Sequence, residues 1–254
     1  MRAVCLFRDG LTYRRDAFCA GLRAAGYAVV SSIASPQLDD VLCIWNRYGN
    51  SAAEADRFER GGGRVIVCEN GHLGKTWRDG SWYAMAGGHH GGAGCWGYGG
   101  PERWDGWNVE LAPWRADGSE IVILAQRGIG EPGVRSPRDW AETTQRRLPG
   151  SRVRPHPGKG GPSVPLEHDL RNARAVVTWH SAAAASALLL GVPVFYDCPS
   201  WLGARAGLPL AALLSGAEPK RDDAARLDMF RNLAWGMWQI DEIKSGVAFN
   251  HLLQ

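Results

Sequence analysis

The sequence has no run of 18 apolar residues, the length that a membrane-spanning helix requires. Its opening stretch, MRAVCLFRDG, has too short an apolar segment for a secretory signal peptide. The six cysteines lie far apart without a CxxC spacing, and several fall in apolar, strand-like runs where a thiol behaves as a small hydrophobic group. These absences predict a cytoplasmic protein with reduced, structural cysteines and no membrane contact.

A large excess of charge is also missing. The 29 basic and 26 acidic residues give a net charge of +3, which permits an anionic partner without requiring one. A length of 254 residues and a hydrophobic content of 45% suffice for one large domain or two small ones. The 12 tryptophans exceed what such a core needs, and surplus aromatic residues often stack on flat ligands.

A set of metal ligands at suitable spacing is missing as well. His89, His90 and Cys95 lie in the glycine-rich stretch GGHHGGAGCWGYGG, but a fourth ligand is absent and the glycines predict a loop too mobile to preform a site. We therefore predict no metal site. The stretch is better interpreted as a flexible lid or an acceptor-contact loop, and its aromatic side chains either stack on a ligand or pin the loop to the core. These side chains are Trp96, Tyr98, Trp104 and Trp107.

The most informative segment is ARAVVTWHSAAAASALLLGVPVFYDCP, at residues 173–199. A β-rich run at 175–178 stops at a polar Trp-His-Ser turn, an apolar helix follows, and a second strand is predicted at 194–196. The unpaired N–H groups at such a helix start, together with the Ser181 hydroxyl, suit a phosphate. A plain buried βαβ unit explains the pattern equally well.

The first part of the chain alternates strand and helix. Strands are predicted at 3–7, 27–30, 41–45 and 64–68, and helices at 13–25 and 51–60. Strands joined by helices indicate a parallel sheet covered on both faces. Periodicity is lost over residues 71–118, which predicts a functional loop or a connector.

Alternation then resumes. The predicted strands are 120–125 and 152–154, and the predicted helices are 137–147 and 164–171, before the βαβ unit. Residues 222–249 have the spacing of two consecutive helices. We predict an α/β protein with two Rossmann-like parallel-sheet halves, of the kind that face a central cleft, and C-terminal helices. The predicted ranges are an acceptor half at 1–115, a donor half at 116–221, and helices at 222–254 that pack back toward the N-terminal half.

Polar residues follow the predicted strands of the second half. Gln126 and Arg127 come after one strand, and His156 and Lys159 after the next. Because the carboxyl ends of parallel strands share one edge, these groups should lie near His180 and Ser181. Arg127 suits bidentate binding of a phosphate, and Lys159 would act as a point charge. Taken singly, each cation is more often a solvated surface residue.

Short motifs along the whole chain resemble one enzyme family. They are RPHPG at 154–158, VVTWHSAAAASALLLGVPVF at 176–195, YRRDAF at 13–18, ENG at 69–71, PWR at 113–115, QRG at 126–128 and LAWGMWQIDEIKSG at 233–246. The first two are similar to the nucleotide-sugar half of GT-B glycosyltransferases, particularly capsule-type enzymes. The full series, in its order, resembles glycosyltransferase-like proteins of tailed phages. This chain is shorter than most two-domain enzymes of that fold.

The resemblance implies a metal-independent hexosyltransferase without a cofactor, which agrees with the lack of a DxD motif. It implies a nucleoside-diphosphate sugar, such as UDP-glucose, on the C-terminal half and an acceptor on the N-terminal half. The implied donor-binding residues are Gln126, Arg127, Arg154, His156, Lys159, Trp179, His180 and Ser181. The implied acceptor-binding residues are Arg14, Arg15, Arg47, His72 and Trp104.

Inverting transfer needs a base for the acceptor proton and positive groups for the departing diphosphate. The candidates for the base follow predicted strands of the N-terminal half and are Asp9 and Glu69, with His72 a third possibility. Asp9 precedes a glycine and is more typical of a turn residue than of a base, and Glu69 is as well suited to a structural hydrogen bond. A retaining enzyme would need no base, and both carboxylates would then position substrate.

The likeness to phage proteins favours DNA with hydroxymethylated pyrimidines as the acceptor. Binding of such DNA needs a basic surface for its phosphates, and the target base must be extruded from the duplex. Arg14, Arg15, Arg47 and the pair Arg146-Arg147 would supply that surface, or they simply solvate helix faces. If the chain is phage-encoded, it would act in the host cytoplasm. The alternatives are a surface-polysaccharide glycosyltransferase, a nucleotide-sugar epimerase or hydrolase, and a non-catalytic nucleotide-binding protein.

Overall fold

The computed structural model describes residues 1–10, 13–158 and 164–254. The chain divides into two compact units. Unit 1 comprises Met1–Gly99 and Leu233–Gln254, and unit 2 comprises Gly100–Asn232. These boundaries differ from the sequence-based ones after residues 115 and 221.

Each unit contains one sheet flanked by helices. The strands are β1 (Arg2–Leu6), β2 (Ala28–Val30), β3 (Val41–Trp45), β4 (Arg64–Asn70), β5 (Trp82–Gly87), β6 (Glu120–Leu124), β7 (Arg152–Arg154), β8 (Ala173–Thr178), β9 (Val194–Tyr196), β10 (Leu208–Pro209) and β11 (Met237–Gln239). The helices are α1 (Arg15–Ala24), α2 (Asn50–Arg60), α3 (Glu102–Asp105), α4 (Trp140–Arg147), α5 (Leu166–Asp169), α6 (Ala182–Leu189), α7 (Leu210–Leu214), α8 (Asp223–Ala234), α9 (Ile240–Lys244) and α10 (Val247–Leu252). This is the predicted α/β architecture.

The sheet of unit 1 has the order β11-β5-β4-β3-β1-β2. The strands β1 to β4 pair in parallel, as their alternation with helices predicted. β5 and β11 extend the sheet by antiparallel pairing. The sequence analysis missed both, because β5 is an almost fully buried run without alternation and its outer partner comes from the far end of the chain.

The stretch predicted to lack structure, residues 71–118, is therefore partly ordered secondary structure. Besides β5 it contains α3 and two 3₁₀ turns, Trp77–Asp79 and Gly91–Ala93. Trp96 and Trp104 are buried, whereas Tyr98 is exposed. The aromatic side chains of this stretch thus serve partly to fix it to the core, which was one of the two alternatives.

The C-terminal tail is also more complex than two consecutive helices. After α8, β11 joins the sheet of unit 1, and α9 and α10 follow directly. Helix α9 begins with a capping box, because the Gln239 N–H donates to the Glu242 carboxylate at 2.8 Å. A Cβ built on Gly21 of α1 would lie 1.9 Å from the Ile243 carbonyl oxygen, so the close packing of α1 against α9 requires glycine.

Four cysteines of unit 1 belong to one core cluster: Cys5, Cys19, Cys43 and Cys68. The sulfur atoms of Cys43 and Cys68 are 3.5 Å apart, and all six cysteines of the chain are free thiols. Burial raises the pKa of Cys68, which keeps that thiol protonated and unreactive. Cys95 differs from the other five cysteines in being exposed.

The sheet of unit 2 has the order β10-β9-β8-β6-β7, and its paired strands run parallel. Its core is built from side chains such as Ile123, Val177 and Phe195, which are fully buried. Strands buried on both faces read as continuous apolar runs, and this explains why their positions were predictable from the sequence. Since β7, β6 and β8 are neighbours, the loops that follow them emerge at one edge of the sheet.

Helix α6 is closed by Gly191, which has a φ of +73°. A Cβ at this position would lie only 2.0 Å from the Pro113 carbonyl oxygen. Gly216 follows α7 with a φ of +83°, but a Cβ at that position would meet no other atom within 4 Å. Substitutions at the two glycines can therefore be compared to separate two contributions to the free energy of unfolding, that of the left-handed backbone and that of a steric clash.

We expect Gly191→Ala to destabilise unit 2 by at least about 3 kcal/mol, from the left-handed backbone and the overlap with Pro113 together. The matched variant Gly216→Ala should cost only about 1 kcal/mol, because it introduces the backbone penalty alone. Urea unfolding of the whole chain measures both. Equal losses in the two variants would show that segment 112–115 is not packed against Gly191 as described.

Candidate functional site

The turn after β8 is held by side chains from the strand ends of unit 2. The His180 N–H donates to Gln126 Oε1 at 2.9 Å, and the Ser181 N–H donates to Thr178 Oγ1 at 2.8 Å. Ser181 caps α6, since its Oγ accepts the Ala183 N–H at 3.2 Å. The structure thus brings together Gln126, His180 and Ser181, as the positions of the strands predicted.

The contact between Gln126 and His180 also fixes the tautomer of the histidine. Because Gln126 Oε1 accepts the backbone N–H, its amide Nε2 faces the ring and lies 3.4 Å from His180 Nδ1. An amide NH₂ can only donate, so Nδ1 accepts and the ring proton resides on Nε2. This Nε2 is buried and has no hydrogen-bond partner among the described residues. The Gln126 side chain therefore orients the His180 ring in the turn after β8.

His156, which follows β7, has a similar character. Its Nδ1 is buried without a hydrogen-bond partner in the described part of the chain. Burial lowers the pKa of His156, and the positive charge of Arg127 lowers it further. Burial also lowers the pKa of His180. Both rings are therefore neutral at pH 7 and act through hydrogen bonds rather than charge.

The structure gives other predicted donor residues different roles. The guanidinium of Arg154 is buried, bonds to the Asp169 carboxylate, and donates to the Val164 carbonyl at 3.0 Å. Its charge is neutralised within unit 2, which argues against the predicted contact with a diphosphate. Trp179 donates from Nε1 to the Val134 carbonyl at 2.7 Å and thereby anchors the loop before α4. Lys159 lies outside the described residues.

Two polar residues of this edge were not singled out in the sequence. Thr178 is the last residue of β8 and fixes the turn through its hydroxyl. Asp197 follows β9 and accepts the Trp140 Nε1–H at 2.7 Å, which holds the start of α4. Both positions had a signal, because each is a polar residue at the carboxyl end of an apolar strand.

In unit 1, Glu69 lies near the carboxyl end of β4 and accepts the Gly91 N–H at 3.1 Å. Burial raises the pKa of its carboxyl to about 7, an effect that the Gly91 hydrogen bond partly opposes. A carboxyl that titrates near neutral pH can take up a proton from a substrate and release it again. Glu69 therefore has the properties of a general base.

Asp9, the other candidate base, is in a different environment. Its side chain is 91% exposed and lies 3.4 Å from the Arg15 guanidinium. Arg15 also donates to the Cys5 carbonyl at 3.3 Å, and Arg14 lies 3.9 Å from Asp16. The first two predicted acceptor cations thus face carboxylates at the surface. Asp9 is thus far more exposed than Glu69, which is partly buried.

His72 is buried in unit 1, and its ring centroid lies 5.9 Å from that of Trp96. Burial lowers the pKa of His72 to about 4, so the ring is neutral at pH 7. It cannot supply a positive charge to an anionic acceptor. The neutral ring still has one nitrogen that donates and one that accepts a hydrogen bond.

Arg47 was predicted to contact the acceptor, and its surroundings in the structure argue against this. The residue is only 3% exposed, and its side chain donates to Asp56, to Glu59 and to the Gly88 carbonyl. Its backbone N–H also donates to His90 Nε2 at 2.9 Å. Arg47 therefore anchors residues 88–90, which precede the Gly91 N–H bound by Glu69. It is a positioning residue for the Glu69 environment.

Trp104 also has a structural rather than an acceptor-binding role. It belongs to unit 2, is 2% exposed, and stacks on Phe230 with ring centroids 4.7 Å apart.

An aromatic cluster that was not predicted lies in unit 1, at the carboxyl end of β3. There the Trp45 ring contacts the rings of Tyr13 and Phe7 edge to face, at 5.2 and 5.8 Å. Its signal in the sequence was a tryptophan at the end of an apolar strand.

Two further findings concern the described residues alone. None of the helices there is long and apolar enough to cross a membrane. No group of three or more His, Cys, Asp or Glu side chains in these ranges is arranged to hold a metal ion. His90, which had been weighed as a ligand, instead accepts the hydrogen bond from Arg47.

No family model matches the sequence, and no curated protein matches it either. Solved structures do match. Thermosulfurimonas dismutans KpsC, beta Kdo 2,7 transferase, is 12% identical with a TM-score of 0.57, over 98% of this chain and 99% of that chain. Thermosulfurimonas dismutans KpsC, beta Kdo 2,4 transferase, is 13% identical with a TM-score of 0.58, over 99% and 98%. The chain is thus similar in fold to these two transferases, with two Rossmann-like units of the GT-B type.

The unusual pKa of Glu69 can be measured directly. We expect one glutamate side-chain carboxyl to titrate near pH 7 in a ¹³C NMR titration, and to be missing in Glu69→Gln. The folded-state pKa lies above the ordinary value of 4.5, so the folded protein binds this proton more tightly than the unfolded chain. The free energy of unfolding should therefore fall relative to that of Glu69→Gln as the pH rises from 4.5 to 7. Parallel stability profiles for the two proteins would contradict this.

The structural role of Arg47 predicts a loss of stability. We expect Arg47→Met to lower the free energy of unfolding by about 2–3 kcal/mol, because Asp56, Glu59 and the Gly88 carbonyl lose their charged donor. Arg14→Met is the matched control and should stay within about 0.5 kcal/mol, since Arg14 lies at the surface. Urea unfolding provides the comparison. Similar small effects for both variants would show that Arg47 is not buried among these partners.

Proposed function

We propose that the protein is a glycosyltransferase that moves a sugar from a nucleotide-activated donor to a hydroxyl group of a saccharide. The observation that carries this proposal is the nearly full-length likeness in fold to two proteins named as Kdo transferases. An acidic sugar of the Kdo type is accordingly the first donor to test. A surface saccharide is the corresponding acceptor, and it replaces the hydroxymethylated DNA expected from the phage-type motifs.

Unit 2 would bind the donor. When the glycosidic bond to the nucleotide breaks, negative charge develops on the departing phosphate. The groups suited to stabilise it are the Nε2–H of His180, the hydroxyl of Ser181 and the guanidinium of Arg127. Neutral histidines serve here as oriented donors, and they need not lose a proton when the nucleotide leaves.

Unit 1 would bind the acceptor. As the new bond forms between the acceptor oxygen and the sugar carbon, the hydroxyl proton must be removed, and Glu69 would take it. A base is most effective when its pKa lies near the working pH, and the carboxyl of Glu69, its pKa raised to about 7 by burial, meets that condition. Asp9 remains the alternative, but its exposure argues for a role in positioning.

The charges of unit 1 favour a saccharide over DNA. A DNA acceptor requires several exposed cations that neutralise phosphates. Arg47 is buried among two carboxylates, and Arg15 faces Asp9. A saccharide needs few charges and is commonly bound by aromatic rings and hydrogen-bonding groups, which the cluster around Trp45 and the residues near Glu69 provide.

The test is a transfer assay with the whole chain. Nucleotide-activated Kdo and UDP-glucose would be offered with Kdo-terminated saccharides, neutral saccharides and hydroxymethylated DNA, and products would be read by mass spectrometry. We expect the mass of one sugar residue to be added to a saccharide. Addition to a DNA base would overturn the acceptor assignment. An altered or released sugar without an acceptor would indicate an epimerase or a hydrolase, and nucleotide binding without turnover a non-catalytic protein.

Single substitutions test donor binding and the catalytic step separately. We expect His180→Ala and Arg127→Ala to raise the Kd for the donor nucleotide at least about tenfold, or about 1.4 kcal/mol. Glu69→Gln should leave that Kd unchanged and lower kcat by about 10² or more. Arg171→Ala is the control, because Arg171 precedes β8 at the other edge of the sheet. Unchanged donor affinity in the first two variants would refute the donor site.

A further inference from the structure

A separate cavity of about 420 Å³ lies in unit 2, away from the candidate donor site. It is lined by Trp114, Ala116, Gly118, Arg174, Glu218 and Arg221. Gly118 precedes β6 and Arg174 lies at the start of β8, so the cavity is at the amino-terminal edge of the sheet. The donor residues follow the opposite ends of these strands, about 15 Å away along a five-residue strand.

One wall of the cavity is held by specific contacts. The Ala112 N–H donates to the Leu189 carbonyl at 3.1 Å, and the Arg115 N–H donates to the Gly191 carbonyl at 2.8 Å. Both ends of the Pro113-Trp114-Arg115 segment are thus tied to the end of α6. The position of Trp114 between them is therefore set by the backbone and does not depend on a ligand.

The indole ring of Trp114 is fixed as well. The Arg226 guanidinium lies 4.0 Å from its ring centroid, and Arg226 is buried and donates to the Ala112 carbonyl at 2.8 Å. Trp114 Nε1 is enclosed and has no hydrogen-bond partner among residues 1–10, 13–158 and 164–254. A tryptophan oriented in this way at a cavity wall is suited to contact a ligand ring.

The remaining polar groups have both signs of charge. Arg174 donates to both carboxylate oxygens of Glu218 at 2.9 Å, so these two charges balance each other. Arg221 is exposed, and its Nε makes a long hydrogen bond of 3.4 Å to the Arg115 carbonyl. That bond uses one of the five N–H donors of the guanidinium, and the terminal nitrogens suit an anion. The lining offers one cation for a ligand beside one carboxylate.

We propose that this cavity binds a saccharide that carries a carboxylate, such as a hexuronic or ulosonic acid. Arg221 would bind the sugar carboxylate, Glu218 would accept hydrogen bonds from sugar hydroxyls, and the Trp114 ring would contact the apolar face of the sugar. Inorganic phosphate is a poorer match, because it has no apolar face for the indole ring to contact and no hydroxyls of a sugar to donate to Glu218. The volume lies within the range of small-molecule sites. The proposal stands independently of the transferase activity.

The test is a binding titration of the whole chain without any nucleotide, followed by the indole N–H resonances in ¹H–¹⁵N NMR. The ligands are galacturonic acid, galactose, Kdo and inorganic phosphate; galactose differs from galacturonic acid in lacking the carboxylate. We expect the two acids to shift the Trp114 resonance, identified through Trp114→Phe, with at least tenfold lower affinity for galactose and phosphate. Equal binding of galactose and galacturonic acid, or tighter binding of phosphate, would overturn the proposal.

The matched variants are Arg221→Gln and His180→Ala. Arg221 is exposed, so Arg221→Gln should remain folded, and we expect it to weaken binding of the acids about tenfold. His180→Ala should leave their affinity unchanged, because His180 belongs to the other edge of the sheet. Weakening by His180→Ala alone would mean that the acids occupy the donor site. Unchanged binding in Arg221→Gln would refute the assigned cavity, whatever the outcome of the transfer assay.

Discussion

The parallel pairing of β6 with both β7 and β8 is the constraint on which the geometry of unit 2 depends. Leu124 at the end of β6 is in register with Arg154 of β7 and with Thr178 of β8. Because the three strands end at the same level, the side chain of Gln126 reaches the His180 backbone and ring. That contact orients the His180 ring, so the register of the sheet determines how this side chain is presented at the strand ends.

Several arginines of this protein serve as internal supports. Arg47, Arg154 and Arg226 are all buried, and each is bonded to a carboxylate and a backbone carbonyl. The guanidinium suits this use because its five donors lie in one plane and the charge is never lost. A sequence count of basic residues therefore overstates the surface available to nucleic acid, and this is why the net charge did not indicate the class of acceptor.

An element of the fold can be predicted when the residues that encode it lie within a short window of the sequence. The core strands β1, β3, β6 and β8 are encoded within short windows, and their positions were predicted closely. The likeness in fold to glycosyltransferases was also foreseen, from the order of short motifs. The burial of Arg47 and Trp104 was not, because their partners are set by tertiary packing, and an arginine or tryptophan in a loop reads the same whether it is buried or exposed.

One of the elements that the sequence analysis missed, β5, shapes the environment of Glu69. β5 pairs with β4 so that Ala84 lies opposite Glu69, and the bridge between Gly87 and Cys95 closes the loop that contains Gly91. Arg47 ties the same loop down at Gly88 and His90. The Gly91 N–H of this loop binds the Glu69 carboxylate, and burial of the carboxyl raises its pKa to about 7. The environment of Glu69 therefore depends on an antiparallel addition to a parallel sheet.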